Sequence, residues 1–168
     1  MKLKVQNTDL EGVKLIIPPT VFDDFRGDYV EIYNEKLYFD AGVDVKFVQD
    51  DYATSSRYVL RGIHGDDKTA KLVKCIYGSL YLVVVNNLPA SAQYKKWSAF
   101  DLSDTNRKQV FIPPGFGTSY LVMSDTAIFH YKQSAYYGES QQFTLKWNDP
   151  ELGIWWPIKT PITSYRDH

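Results

Sequence analysis

Short runs of aromatic and β-branched residues, each closed by turn chemistry within a few positions, recur along the whole chain and restrict it to an all-β fold. Val13-Lys14-Leu15-Ile16-Ile17 stops at the double proline Pro18-Pro19, and both Tyr29-Val30-Glu31-Ile32-Tyr33 and Lys46-Phe47-Val48-Gln49 alternate. Ser79-Leu80-Tyr81-Leu82-Val83-Val84-Val85 predicts a deeply buried strand. Further strands are predicted over 97–100, 109–112, 119–123, 127–131 and 143–147. The chain should reverse at Asn86-Asn87-Leu88-Pro89, Ser103-Asp104-Thr105-Asn106 and Pro113-Pro114-Gly115, where polar or backbone-constraining residues cluster. One short helix is expected over 34–41. Many short strands separated by turns fit a sandwich or barrel better than alternating βα units, and a jelly roll of eight or more strands is the expected architecture. The 168 residues suit one domain, 1–168, large enough to bury roughly 70% of the unfolded chain's surface. Such a barrel can enclose a ligand, so inward-facing polar residues are where chemistry is sought.

Nineteen basic residues against twenty acidic ones leave a net charge of −1, which argues against a general nucleic-acid or membrane-surface binder. Met1-Lys2-Leu3-Lys4-Val5-Gln6-Asn7 lacks the apolar stretch of a signal peptide, and no apolar segment approaches the roughly 20 residues that span a bilayer. The lone cysteine, Cys75, excludes an internal disulfide, fits a reducing compartment, and is read as a buried strand residue. A cytoplasmic location is the expectation.

The candidate chemistry centres on Arg61-Gly62-Ile63-His64 and Lys71-Leu72-Val73, which set one of three histidines between two cations. Histidine exchanges a proton near neutral pH, and flanking cations favour an anionic ligand or intermediate. His64 is therefore either a catalytic base or a histidine hydrogen-bonded in a barrel wall. Strand alternation should send Leu60, Gly62 and His64 one way, and Arg61 and Ile63 the other. For His130, between Phe129 and Tyr131, the structural role is the expected one. Arg61 and Lys71 can equally be solvated strand charges. A metal centre is not expected: His64, His130 and His168 are the whole histidine supply, and no His-x-His pair occurs.

Taken in order, several motifs resemble the dTDP-4-dehydrorhamnose 3,5-epimerase family of nucleotide-sugar epimerases. They are Phe22-Asp23-Asp24-Phe25-Arg26-Gly27, Phe47-Val48-Gln49-Asp50, Val59-Leu60-Arg61-Gly62-Ile63-His64, Lys71-Leu72-Val73-Lys74-Cys75 and Ile112-Pro113-Pro114-Gly115-Phe116, followed by Tyr136-Tyr137, Trp147-Asn148-Asp149-Pro150 and Trp156-Pro157. Phe129-His130-Tyr131-Lys132-Gln133-Ser134 and the ending Pro157-Ile158-Lys159-Thr160-Pro161-Ile162 look closest to the branch acting on GDP-4-keto-6-deoxy-heptoses in capsule assembly.

The resemblance implies a cupin-type jelly-roll barrel with short helices, working without metal or other cofactor as a homodimer on a GDP- or dTDP-linked 4-keto-6-deoxy sugar. It implies that His64 removes the proton beside the ketone, that Asp167 orients the imidazole, that Lys71 stabilises the enolate, and that Tyr131 returns a proton from the opposite face. Arg61 would contact the diphosphate or sugar. Phe22, Arg26, Glu31 and Gln49 would help hold the nucleotide-sugar, and Arg166 would add a basic contact beside Asp167. The same barrel could host a 3,4-ketoisomerase or a non-catalytic sugar-nucleotide-binding module. The chain departs from the family pattern at Gly65-Asp66-Asp67 after the histidine, at Thr118 in place of a second pocket histidine, at Leu82 in place of an acidic residue, at Asn86-Asn87-Leu88, and at Asp51.

Overall fold

The computed structural model describes residues 2–168. In chain order the elements are β1 (Lys4–Asn7), β2 (Lys14–Ile17), β3 (Thr20–Asp24), β4 (Gly27–Val30), helix α1 (Glu35–Asp40), β5 (Gln49–Ser56), β6 (Leu60–Gly65), β7 (Lys71–Tyr77), β8 (Ser79–Asn86), β9 (Trp97–Ser103), β10 (Gln109–Ile112), β11 (Phe116–Val122), β12 (Thr126–Gln133) and β13 (Phe143–Thr144), closed by a 3-10 turn at Tyr165–Asp167. A six-stranded sheet runs β1-β2-β10-β7-β12-β5, and a five-stranded sheet runs β13-β6-β11-β8-β9. Strands in both pair antiparallel, giving the expected all-β jelly-roll barrel.

Three apolar layers account for the strand sequences. Between the sheets, Val73, Cys75, Val110 and Phe129 meet Leu82, Val84, Phe116 and Tyr120. Outside the six-stranded sheet, Tyr38 of α1 packs on Ile16, Leu72 and Phe111. Its hydroxyl donates to Gln109 Oε1 at 2.8 Å, so the one polar atom it buries is satisfied. Outside the five-stranded sheet, Leu145, Leu152 and Trp156 from the C-terminal segment cover Ile63, Val83 and Val85. That second cover explains why β8 is apolar on both faces where an ordinary half-buried strand would alternate. Burial also pushes the Cys75 thiol up to about 11, and its Sγ donates to the Tyr77 carbonyl at 3.0 Å.

Three predicted elements differ in extent. The run predicted over 29–33 is a strand only to Val30; β4 pairs back on β3 across Gly27, whose φ of +115° favours glycine at that turn. Asn34 then caps α1, its side chain accepting from the Leu37 N–H at 3.1 Å. The strand predicted to end at Gln49 instead begins there, and β5 continues through polar residues, held by eight paired positions on β12. Of the run 143–147 only Phe143 and Thr144 join a strand, opposite Gly65 and His64. Among the described residues no helix is long and apolar enough to cross a membrane.

Candidate active site

The local irregularity of β6 builds one wall of the site. Its pairing with β11 matches His64 to Thr118 but Arg61 to Tyr120, so β6 carries one residue more than its partner across the interval. This bulge re-aims the side chains. Leu60 and His64 face the barrel interior as alternation predicts, but Arg61 joins them, while Ile63 is buried against the outer layer. Gly62 makes the bulge possible: its φ is +110°, and a Cβ there would lie 2.4 Å from the Thr118 carbonyl oxygen.

The C-terminal 3-10 turn carries Asp167 into the same wall. Asp167 Oδ1 lies 3.0 Å from His64 Nε2 and accepts from the Gly62 N–H at 2.9 Å. Oδ2 accepts from the Ser164 N–H at 2.8 Å and from the Ser164 hydroxyl at 2.7 Å. Burial raises the Asp167 pKa, but the donors on Gly62, Ser164 and His64 outweigh it and hold the carboxyl below its ordinary range. An ionised carboxylate only accepts, so the His64 nitrogen facing it carries the proton. The lone pair is then on Nδ1, which lies 3.1 Å from Thr144 Oγ1. Burial first, and then the nearby Arg166 guanidinium, lower the His64 pKa against the pull of Asp167. The imidazole is neutral at neutral pH and available as a base.

The facing wall belongs to the other sheet. Lys71 opens β7 and Tyr131 lies in β12, one cross-strand step away, with the Lys71 ammonium 6.0 Å from the centre of the phenol ring. Burial lowers the Lys71 pKa, Arg166 adding to it and Asp66 opposing. Burial and the Asp51 carboxylate raise that of Tyr131, which keeps the phenol protonated and able to donate. Between the walls is a cavity of about 390 Å³. His64, Lys71, Tyr131, Asp167, Arg61 and Arg166 all line it. The Arg61 Nε donates to the Ser55 hydroxyl at 3.1 Å, and an Arg166 guanidinium N–H donates to the side-chain Oε1 of Gln142, which fixes two guanidinium groups at the cavity's edge.

Four sequence-predicted residues lie elsewhere. Gln49 sits beside the cavity: its Nε2 donates to Asp51 at 2.8 Å and its Oε1 accepts from the N–H of Tyr137, which does line the site. Phe22 and Arg26 are on the β3–β4 hairpin and Glu31 just follows it, away from this chain's cavity, with Phe22 63% exposed. Arg107, paired with Asp28 and bonded to Thr20, ties the hairpin to the barrel. Sequence reasoning missed Thr144, Ser164 and Tyr120. The spacing Ser164-Tyr165-Arg166-Asp167 is a capping-box signature and could have revealed Ser164. His130 lies outside the cavity, its Nε2 3.7 Å from Asp50. Among the described residues no three His, Cys, Asp or Glu side chains are grouped to hold a metal ion.

Known proteins with this architecture are numerous and consistent. The family model for dTDP-4-dehydrorhamnose 3,5-epimerase matches residues 7–168. An Escherichia coli K12 protein of that name is 40% identical over 159 residues, covering 92% of this chain and 85% of the relative. A crystal structure of the Bacillus anthracis dTDP-4-dehydrorhamnose 3,5-epimerase with TDP and PPi bound superposes with a TM-score of 0.94 at 34% identity, covering 98% of this chain and 96% of that one. The Legionella pneumophila dTDP-6-deoxy-D-glucose-3,5-epimerase in complex with dTDP-4-keto-L-rhamnose gives 0.92 at 32% identity, covering 98% and 89%. With the motifs in family order, the barrel superposed over nearly its full length and the model matched to the last residue, the chain belongs to the dTDP-4-dehydrorhamnose 3,5-epimerase family.

Proposed function

We propose that this epimerase inverts the carbons flanking the ketone (C3, or C3 and C5) of a nucleoside-diphospho-4-keto-6-deoxy sugar, by taking a proton from one face and returning one to the other. The observation that carries this reading is the distribution of groups between two walls. A neutral imidazole held by a buried carboxylate hangs from the five-stranded sheet, and a lysine and a protonated phenol hang from the six-stranded sheet. His64 takes the carbon-bound proton, and Asp167 stabilises the imidazolium that forms. The electron pair moves onto the C4 oxygen, where the Lys71 ammonium stabilises it. Tyr131 then protonates the carbon from the far side and recovers its proton from solvent, while His64 releases to solvent the proton it took. A group that returned the proton from its own side would restore the starting configuration, so the two-walled arrangement is what inversion requires.

Arg61 and Arg166 suit the diphosphate, as fixed guanidinium forks do. The exposed β3–β4 hairpin, with Phe22, Arg26 and the adjacent Glu31, suits a homodimer in which it reaches the nucleotide at a second copy's site, with Gln49 holding Tyr137 on the rim. The relatives' names favour a dTDP-linked hexose. A GDP-linked heptose for surface-polysaccharide assembly is the second reading, and Thr118 favours it. Thr118 is among the residues that line the cavity, and its hydroxyl oxygen, closed off from solvent in the empty site, has no hydrogen-bond partner. A 6-deoxy-heptose carries a terminal hydroxymethyl where the hexose ends in a methyl, and so brings a group able to satisfy that orphan.

Proton NMR in D2O with dTDP- and GDP-linked 4-keto-6-deoxy hexoses and heptoses tests this. Deuterium should enter at C3, or at C3 and C5, with inverted configuration. A carbonyl that migrates to C3 would identify a 3,4-ketoisomerase, and tight binding without exchange a non-catalytic module.

A further inference from the structure

His64 lies between two threonines, Thr118 on β11 and Thr144 on β13, both paired to it in register. Only Thr144 reaches the ring, with Oγ1 3.1 Å from Nδ1. The direction of that bond is fixed by the other nitrogen. Asp167 accepts four hydrogen bonds and donates none, so Nε2 bears the hydrogen, Nδ1 bears the lone pair, and the Thr144 hydroxyl must donate. In the empty site the basic lone pair is therefore already occupied, by a side chain from a strand only two residues long.

We propose that Thr144 is a positioning residue for the base: its hydroxyl caps Nδ1 while the site is empty, holds the imidazole in the Nε2–H tautomer, and gives up the lone pair when the sugar's acidic C–H arrives. This rests on the reading of His64 as the base. Two physical consequences follow. The hydroxyl donates to the neutral ring and rotates to accept from Nδ1–H once the ring is protonated, a charge-assisted bond that partly offsets burial, Arg166 from the 3-10 turn and Lys71 from β7, all of which oppose protonation. A capped ring is also pinned at both nitrogens, so it cannot rotate away from Asp167 between turnovers. Such a cap costs little to break, because one neutral hydrogen bond is exchanged for contact with substrate.

The test compares Thr144→Val, which keeps the shape and removes the donor, with Thr144→Ser, which keeps the donor. The His64 ring is followed by nitrogen-detected NMR in the free protein, and the pH dependence of kcat/KM is followed in parallel. In T144V the His64 resonances should titrate about half to one pH unit lower than in the parent, because the imidazolium loses its charge-assisted bond to the hydroxyl, and the acidic limb of kcat/KM should move with them, while T144S titrates like the parent. An unchanged His64 titration in T144V overturns the cap. A titration that shifts while the acidic limb stays put overturns the assignment of His64 as the base, so the failure of that reading is seen separately.

Discussion

His64 and His130 are alike in their immediate structural setting. Each sits on a strand, each side chain is about equally covered (17% and 16% exposed), and each has an aspartate within 4 Å. Burial lowers both pKa values, His130 to about 4. The difference is in the aspartates. Asp167 is 3% exposed, touches the ring at 3.0 Å, and is fixed by three further donors on Gly62 and Ser164. Asp50 is 51% exposed, lies 3.7 Å away, and is shared with the Lys132 ammonium at 2.8 Å. A carboxylate anchored by the fold can hold a ring in one tautomer through a proton transfer; one that is solvated and already neutralised cannot. On the proposed reading of His64 as the base, acid–base function depends on what holds the histidine's partner.

The largest effect that would break this comparison is a swap of consequences between the two rings. His64→Asn should lower kcat/KM by about 10³- to 10⁴-fold and abolish deuterium entry beside the ketone, whereas His130→Asn should stay within about threefold of the parent. Tyr131→Phe should stop inversion yet leave solvent exchange at the carbon His64 serves, because the base can still remove and return a proton on its own face. Equal losses in the two histidine variants would show that the partner's anchoring is irrelevant.

The aspartates sharpen the contrast at a smaller scale. Asp167→Asn should cost on the order of 10²-fold in kcat/KM, and it should also lower stability. The carboxylate accepts from four donors, and an amide replaces one of its oxygens with a donor group, leaving a buried clash of N–H groups. Asp50→Asn should leave kcat/KM within about threefold, since Asp50 is half in water. Urea unfolding beside the kinetics separates the two effects of D167N, because folded protein at assay conditions must account for the residual rate.

How much of this was legible before the fold was known follows the same line. The strand runs, the cap at Asn34 and the buried β8 could be read because local pattern and burial coincide there. The strand β5 was missed because its inward positions, such as Asp51, Ala53 and Ser55, are polar or small: they border a cavity instead of filling a core. Of the six cavity-lining predictions, His64, Lys71 and Arg61 are candidates from their own residue chemistry, whereas Tyr131, Asp167 and Arg166 come from motif resemblance alone, since 103 residues separate His64 from Asp167 and no periodicity links them. Alternation put Arg61 on the wrong face because the extra residue at Gly62 is invisible without the partner strand. Thr144 was missed for a related reason: its role depends on a two-residue pairing with β6 that its own sequence does not announce.

The smallest expected effect concerns the histidine outside the site. His130 is neutral in the folded protein because burial is reinforced by the Lys74 ammonium on β7 and Lys132 on its own strand, with only Asp50 on β5 opposing. Lys74 is itself buried without a hydrogen-bond partner, so the cluster already holds more positive charge than it can pair. The folded pKa of about 4 lies below the ordinary 6.5, so between these values the unfolded chain binds the proton that the folded protein refuses. Stability is then full above pH 6.5 and falls as pH drops toward 4, by on the order of 2 kcal/mol from this residue. His64, lowered as well, contributes a loss of the same sign. His130→Gln should therefore flatten the fall in urea midpoint between pH 6.5 and 4.5 without removing it, and Lys74→Met should flatten it too, by letting the ring accept its proton at higher pH. A slope unchanged in both variants would mean that His130 is no more reluctant to ionise folded than unfolded, and the likeness between the two histidines would extend no further than their burial.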